Sequence, residues 1–333
     1  MHIEIIAELA QGFEGRPEQA RLLVRASAAA GADAAKFQLV YADELATPDY
    51  KHYNLFRSLE MPDAVWDDLA RYAQELNIAL YLDVFGARSI ALAEHVGARA
   101  LKVHGTDIAN VNMLHQIAQS TVPKILLGAG GAFLPEIEQA IHLLADKEIV
   151  ILLGFQSYPT PIDANQIVRV RMLSDMLSMR HPNVTLGVAD HASPESLLRV
   201  ALAATALGSG ARVFEKHLTL GEVMKMEDYE SALNPDRFAE FVTVMHNCAT
   251  AYGECNGAAD FGMSVAEQDY RKMIRRHVVT SRDVAKFSRI SPGDLILKRT
   301  SAEHAITDMD QVYKKILKRD LQNNGPIFPD DIE

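Results

Sequence analysis

Eight short runs, each apolar on both faces, recur through the first three quarters of the chain, and most are followed by a longer amphipathic stretch. The runs are "IEIIAEL", "AAKFQLV", "ALYLDVF", "ALKVHG", "KILLGAG", "EIVILLGF", "VTLGVAD" and "RVFEKHLT". Between them lie helical patterns such as "PEQARLLVRASAAAG", "PDAVWDDLARYAQEL", "LPEIEQAIHLLA" and "PESLLRVALAATALG". Several open on Pro and close on Gly or Asn, the usual helix punctuation. A strand buried on both faces belongs to a parallel sheet, whose neighbouring strands must be joined by crossover helices. Eight such units in about 250 residues predict a closed (β/α)8 TIM barrel rather than an open sheet. No glycine-rich phosphate loop follows the first run, so a nucleotide-binding open sheet loses its main support.

The pattern changes after Thr250. Residues 1–250 are assigned to the barrel, 251–273 to a turn-rich linker with one short helix, and 274–333 to a small, mainly β domain. A tail of roughly 60 residues is small for a core of its own. It is expected to pack on its own barrel or on a partner.

Apolar content of 48% and charged content of 23% fit a globular chain. A net charge of −11 argues against nucleic acid or an anionic membrane as partner. No apolar run reaches the ~18 residues of a membrane span. The opening "MHIEIIAELAQG" has no basic leader segment and reads as the first strand, so a cytoplasmic location is expected. The two cysteines, Cys248 and Cys255, are then expected as free thiols rather than a disulfide.

In such a barrel the chemistry gathers where the strands end. Glu8 ends the first strand, Lys36 and Gln38 lie in the second, and Lys102 and His104 in the fourth. Asp190 and His191 end the seventh; Glu215, Lys216 and His217 end the eighth, where a buried strand would ordinarily stay apolar. A lone strand-end histidine is more often structural than a ligand, and a lone barrel lysine is as often an internal ion pair as a catalytic group. Their convergence from neighbouring strands is costly as structure alone and points to a site. His191 and His217, on adjacent strands, suit one divalent cation. Two imidazoles leave positions open for oxygen ligands, which favours Mn2+ or Mg2+ over zinc. Lys36 and Lys102 offer charge to an anionic substrate, and Glu8 is a candidate acid or base.

The order of these motifs resembles the sialic acid synthase family. "IIAEL", "AGADAAKFQ", "ALKVHGTDIANVNML", "YPTP" (Tyr158–Pro161), "ADH", "FEKHLTL" and "DYESALNPDRF" are each similar to a family segment, and the tail with "LKR" is similar to the family's antifreeze-like domain. The resemblance implies condensation of phosphoenolpyruvate with an N-acetylated amino sugar (N-acetylmannosamine or a 2,4-diacetamido hexose) to give a nonulosonic acid and phosphate. It implies metal at His191 and His217, phosphoenolpyruvate at Lys36 and Lys102, and acid–base work at Glu8, with Asp107 assisting. Gln38, Tyr158 and Asp228 are implied to face the sugar, and Arg299 to reach its N-acetyl group from the partner in a domain-swapped homodimer.

Several positions depart from the family. Its Asn-His after the first strand is Gly12 and Phe13 here. Ser-Thr-Pro-Phe of the third strand is Leu82 to Phe85, with Asp83 at its second position. Ser-Thr-Gly-Met of the fifth is "LGAGG" (Leu127–Gly131), the serine near Gly105 is missing, the first residue of Ser-Asp-His is Ala189, and Asp107 replaces a glutamate. Lost hydroxyls of this kind hold phosphate and carboxylate, at about 1.5–3 kcal/mol each. One reading keeps the donor: backbone N–H groups around Gly128 and Gly130 cradle the phosphate, with His104 or Arg88 adding charge. A second is a metal-dependent aldolase or lyase with a different keto-acid donor. A third is a sugar-binding paralogue without activity.

Overall fold

Eight parallel strands close into one barrel in sequence order: β1 (Glu4–Ala10), β2 (Ala34–Gln38), β3 (Ala79–Val84), β4 (Ala100–Val103), β5 (Lys124–Gly128), β6 (Glu148–Leu153), β7 (Val184–Asp190) and β8 (Val213–His217). The architecture is the barrel that the sequence pattern predicts. This computed structural model describes residues 1–177, 180–253 and 261–333. The chain forms two compact units, Met1–Gly253 and Glu254–Glu333.

Because side chains alternate along a strand, each strand feeds two different cores. One set points outward beneath the helices; Phe37, Leu82, Leu101, Ile125, Ile151 and Phe214 belong to it. The other set fills the barrel: Ile6, Ala34, Tyr81, Ala100, Leu126, Val150, Leu152 and Val213. A polar floor lies at the strand starts, where the Tyr81 hydroxyl donates to Glu4 at 2.6 Å and Lys124 pairs with Glu4 and Glu148. The apolar layer therefore separates two polar ones.

The helices mostly follow the expected punctuation. Pro17 opens the helix Pro17–Ala29, and Pro62 precedes Asp63–Glu75, which buries Trp66, Leu69 and Ala73. The seventh crossover differs: the helix is confined to Ala201–Gly208, and "PESLLRV" before it forms turns. Leu197 there is 92% exposed, so its apolar pattern has no face to bury against. The β2–β3 connection carries two additional short helices, Ala42–Leu45 and Tyr53–Leu59.

The second unit has an antiparallel pair, β9 (His277–Thr280) and β10 (Leu295–Lys298), extended by isolated bridges such as Val284 with Leu321 and Leu317 with Ile332. Contrary to the expectation from its length, the tail has a core of its own, built from Val278, Val284, Ile290, Leu295, Leu317 and Ile327 among others. The ion pairs Arg282–Asp294 and Arg319–Asp331 brace its turns. The expected linker contains the helix Val265–Ile274, while Cys255 and its relation to Cys248 lie outside the described residues. Among the described residues, no helix is long and apolar enough to cross a membrane.

Candidate active site

Above the apolar layer the barrel interior turns charged. Register aligns Glu8 with Lys36, Asp83 with Lys102 and Glu8 with His217, so Glu8, Lys36, Asp83, Lys102 and Glu215 converge on the axis. All five are buried. Lys36 Nζ contacts Glu8 and lies 2.5 Å from Asp83 Oδ1 and 3.6 Å from Glu215 Oε2. Lys102 Nζ donates to Glu215 Oε1 at 2.6 Å, with Glu8 and Asp83 at 3.7 and 3.9 Å. Three carboxyls thus surround two ammonium groups. Full ionisation leaves one excess negative charge, and a single retained proton removes it.

The electrostatics place that proton on Glu8. Burial pushes its carboxyl up to about 8, with Glu215 and Asp83 adding to the effect against the pull of Lys36. Contact with Lys36 by itself favours the ionised form; desolvation and the two other carboxyls outweigh it. Glu215 goes the other way: burial opposes ionisation, but Lys102 and Lys36 hold it well below the usual carboxylate range. Burial likewise disfavours the Lys36 ammonium, yet Asp83, Glu215 and Glu8 keep it charged. Lys36 is therefore an electrostatic group, not an amine nucleophile.

One layer nearer the mouth stand the two histidines. Their ring centroids are 5.2 Å apart, and the Tyr158 ring meets both edge-on at 5.0 and 5.6 Å. The backbone fixes them: the His191 carbonyl accepts from Thr160 N–H and the Ser231 hydroxyl, and the His217 carbonyl accepts from Leu233 N–H. Burial lowers His191 to about 4 and puts His217 well below the ordinary imidazole range. Both are neutral near pH 7 and keep a lone pair for a cation. His191 Nδ1 is buried without a hydrogen-bond partner, an uncommon state for a ring nitrogen. These features fit a two-imidazole centre; among the described residues no cluster of three or more His, Cys, Asp or Glu groups could hold a metal.

The mouth opens into a cavity of about 690 Å³ whose walls include Gln38, His104, Asp107, Tyr158 and Asp228. Gln38 accepts from Gln11 Nε2 at 2.7 Å, and Asp228 Oδ2 stands 3.8 Å from His217 Nδ1. Burial, with Glu227 and Glu230 nearby, raises Asp228 to about 7. His104 contacts Gln156 and Thr106 through its two ring nitrogens, and burial lowers its pKa. Arg88 stacks on Tyr41 and reaches Asp63. Gly128 and Gly130 sit where backbone meets backbone: a Cβ would lie 2.9 Å from Gly105 N at the first and 2.0 Å from Gly154 O at the second.

The structure thus gathers Glu8, Lys36, Lys102, His191 and His217 in the barrel and Gln38, His104, Asp107, Tyr158 and Asp228 around its mouth. Arg299 belongs to the second unit, where it is exposed just after β10. Asp190 and Lys216 share the strand ends but face outward, paired at 3.4 Å under the helices. Sequence reasoning missed Asp83 as a member of the charged cluster and named Glu215 at its strand end without giving it a role. Their signal was parity: both share the inward register of Tyr81 and Val213.

Family models match both the barrel and the tail. The NeuB family model matches residues 23–257 and the SAF domain model matches 275–333. The chain belongs to the NeuB family. This NeuB-family chain is 28% identical over 339 residues to an N,N'-diacetyllegionaminic acid synthase of Campylobacter jejuni, covering 96% of this chain and 97% of the relative. It is 26% identical over 351 residues to the synthase of the same name from Legionella pneumophila, covering 99% and 94%. In fold it is similar to spore coat polysaccharide biosynthesis protein E of Chromobacterium violaceum, with a TM-score of 0.82 at 21% identity and 99% of each chain covered. The family is that of the nonulosonic acid synthases.

Proposed function

We propose that this NeuB-family chain joins C3 of a three-carbon donor to the aldehyde carbon of an N-acetylated amino sugar, giving a nonulosonic acid. The observation that carries this reading is the pairing of two neutral, buried imidazoles with a carboxyl–lysine cluster one layer deeper. His191 and His217 would hold Mn2+ or Mg2+, which when bound supplies Lewis-acid polarisation of the sugar carbonyl. Lys36 and Lys102 stabilise negative charge developing on donor oxygens, from positions fixed before reaction. Glu8, protonated near neutral pH, can give a proton at its Oε atoms and take one back. Asp107 assists at the mouth, and Gln38, Tyr158 and Asp228 hold the sugar's polar groups.

Phosphoenolpyruvate is the donor that membership of this family suggests, and its reaction releases phosphate. Phosphate release in the presence of an amino-sugar panel, with Mn2+ and with chelator, tests it. A different observation favours a second donor: Asp83 and Glu215 already neutralise both lysines. Sugar bound tightly without turnover of any donor would instead indicate a binding role. The proposal also includes a homodimer in which Arg299 of a second copy serves the sugar's N-acetyl group. Light scattering of the protein and the sugar KM of Arg299→Ala check that part.

A further inference from the structure

Resting on the condensation reading above, we propose that the three-carbon donor of this site is an unphosphorylated 2-oxo acid such as pyruvate, and that Asp83 is the residue that excludes a phosphoryl donor. Asp83 is completely buried, 2.5 Å from Lys36 Nζ and 3.9 Å from Lys102 Nζ. Its carboxylate thus fills the place beside both lysines that a donor's phosphate would need. Its other oxygen, Oδ2, is buried without a hydrogen-bond partner, and Lys102 Nζ at 3.9 Å lies beyond hydrogen-bond reach, so its negative charge is only partly compensated.

Beyond the metal that His191 and His217 would hold, no further cation among the described residues compensates. The cavity above is walled by Glu44, Asp107, Glu227 and Asp228, and among the described residues no Lys or Arg lines it. Arg88 is committed to Tyr41 and Asp63. At the ends of β4 and β5, loop carbonyls stand where hydroxyls would be wanted: a Cβ on Gly105 would meet Gly130 O at 3.0 Å and Gly128 O at 3.5 Å. Carbonyl oxygens carry partial negative charge and also disfavour an anion, less strongly than carboxylates do. Phosphoenolpyruvate carries about −2.5 to −3 in total, against −1 for pyruvate, and the Coulomb penalty scales with that charge.

The chemistry balances without phosphate. A carboxylate of the cluster takes a proton from the methyl carbon of the 2-oxo acid, leaving an enolate whose oxygen faces the two ammonium groups. The enolate carbon forms a bond to the aldehyde carbon of the sugar, the carbonyl π pair becomes an alkoxide, and the proton is returned to that oxygen. The product is a 4-hydroxy-2-oxo acid, and the reaction runs in both directions.

The test uses the full chain with Mn2+, N-acetylmannosamine and a 2,4-diacetamido hexose as acceptors, and pyruvate or phosphoenolpyruvate as donor. Wild type is expected to form the nine-carbon product from pyruvate with kcat/KM at least about tenfold above that from phosphoenolpyruvate. Asp83→Ser is expected to move that ratio toward phosphoenolpyruvate by at least about tenfold, with phosphate released. The isosteric Asp83→Asn, which should move it in the same direction, serves if the serine variant does not fold. Wild type that prefers phosphoenolpyruvate, or Asp83 variants with an unchanged ratio, overturns the donor assignment and leaves condensation standing. No product from either donor overturns both.

Discussion

The three-to-two balance of carboxyls and lysines makes an asymmetric prediction about stability. Lys36→Met removes the ammonium that touches Glu8 and lies 2.5 Å from Asp83 and 3.6 Å from Glu215. Three buried carboxyls then share Lys102 alone. Removing one partner of a buried pair costs about 3–5 kcal/mol, because the remaining charge stays desolvated. At about 2–4 °C per kcal/mol for a domain of this size, the barrel should melt roughly 6 to 20 °C lower. Asp83→Asn removes a charge from the majority side instead. Two carboxyls then face two lysines, the amide keeps the shape, and the loss should be about 1 kcal/mol or less. Melting of both variants, followed by circular dichroism at fixed pH and salt, measures the difference. If Asp83→Asn were as damaging as Lys36→Met, Asp83 would be the chief partner of Lys36 and the shared-proton account would be wrong.

Other outcomes follow from the same geometry. Glu8 keeps its proton up to about 8 when folded but releases it near 4.5 when unfolded, so its contribution to stability is fully present below about pH 4.5 and lost as pH rises through about 8. Melting temperature should fall across that window in wild type and less steeply in Glu8→Gln; equal slopes would remove Glu8 as the proton's site. His217→Ala should keep the barrel's circular dichroism yet reduce turnover at least about 100-fold, the upper end of what disturbing even a supporting group around a metal costs. Retained turnover would remove His217 from the centre. Lys216→Met strands Asp190 under the helices and should cost about 3–5 kcal/mol in denaturant unfolding while leaving the sugar KM unchanged. A large KM change with normal stability would place Lys216 in the site after all.

The barrel was legible because its cause is local: each strand is apolar on both faces, and each crossover has its own helix signals. The histidines and lysines were legible as polar residues at the ends of apolar runs. Less visible was the direction in which each neighbour points. Asp190 and His191 look alike on paper, yet strand parity sends one under the helices and the other to the axis. Asp83 read as a lost hydroxyl, because a buried carboxylate draws its meaning from Lys36, 47 residues away in sequence. The tail was misjudged from length alone. Its buried residues come from many short segments, and closing them into one cluster is a tertiary event that no single run announces.

The central claim is that this site makes a nine-carbon 2-oxo acid from an amino sugar and a three-carbon donor. Mass spectrometry of reactions containing folded protein, Mn2+, an amino-sugar panel and either pyruvate or phosphoenolpyruvate tests it most directly. The account predicts a product heavier than the sugar by the three-carbon unit, absent with chelator and absent with His217→Ala. No such product from any sugar and donor pair, with folded protein and metal present, would contradict it.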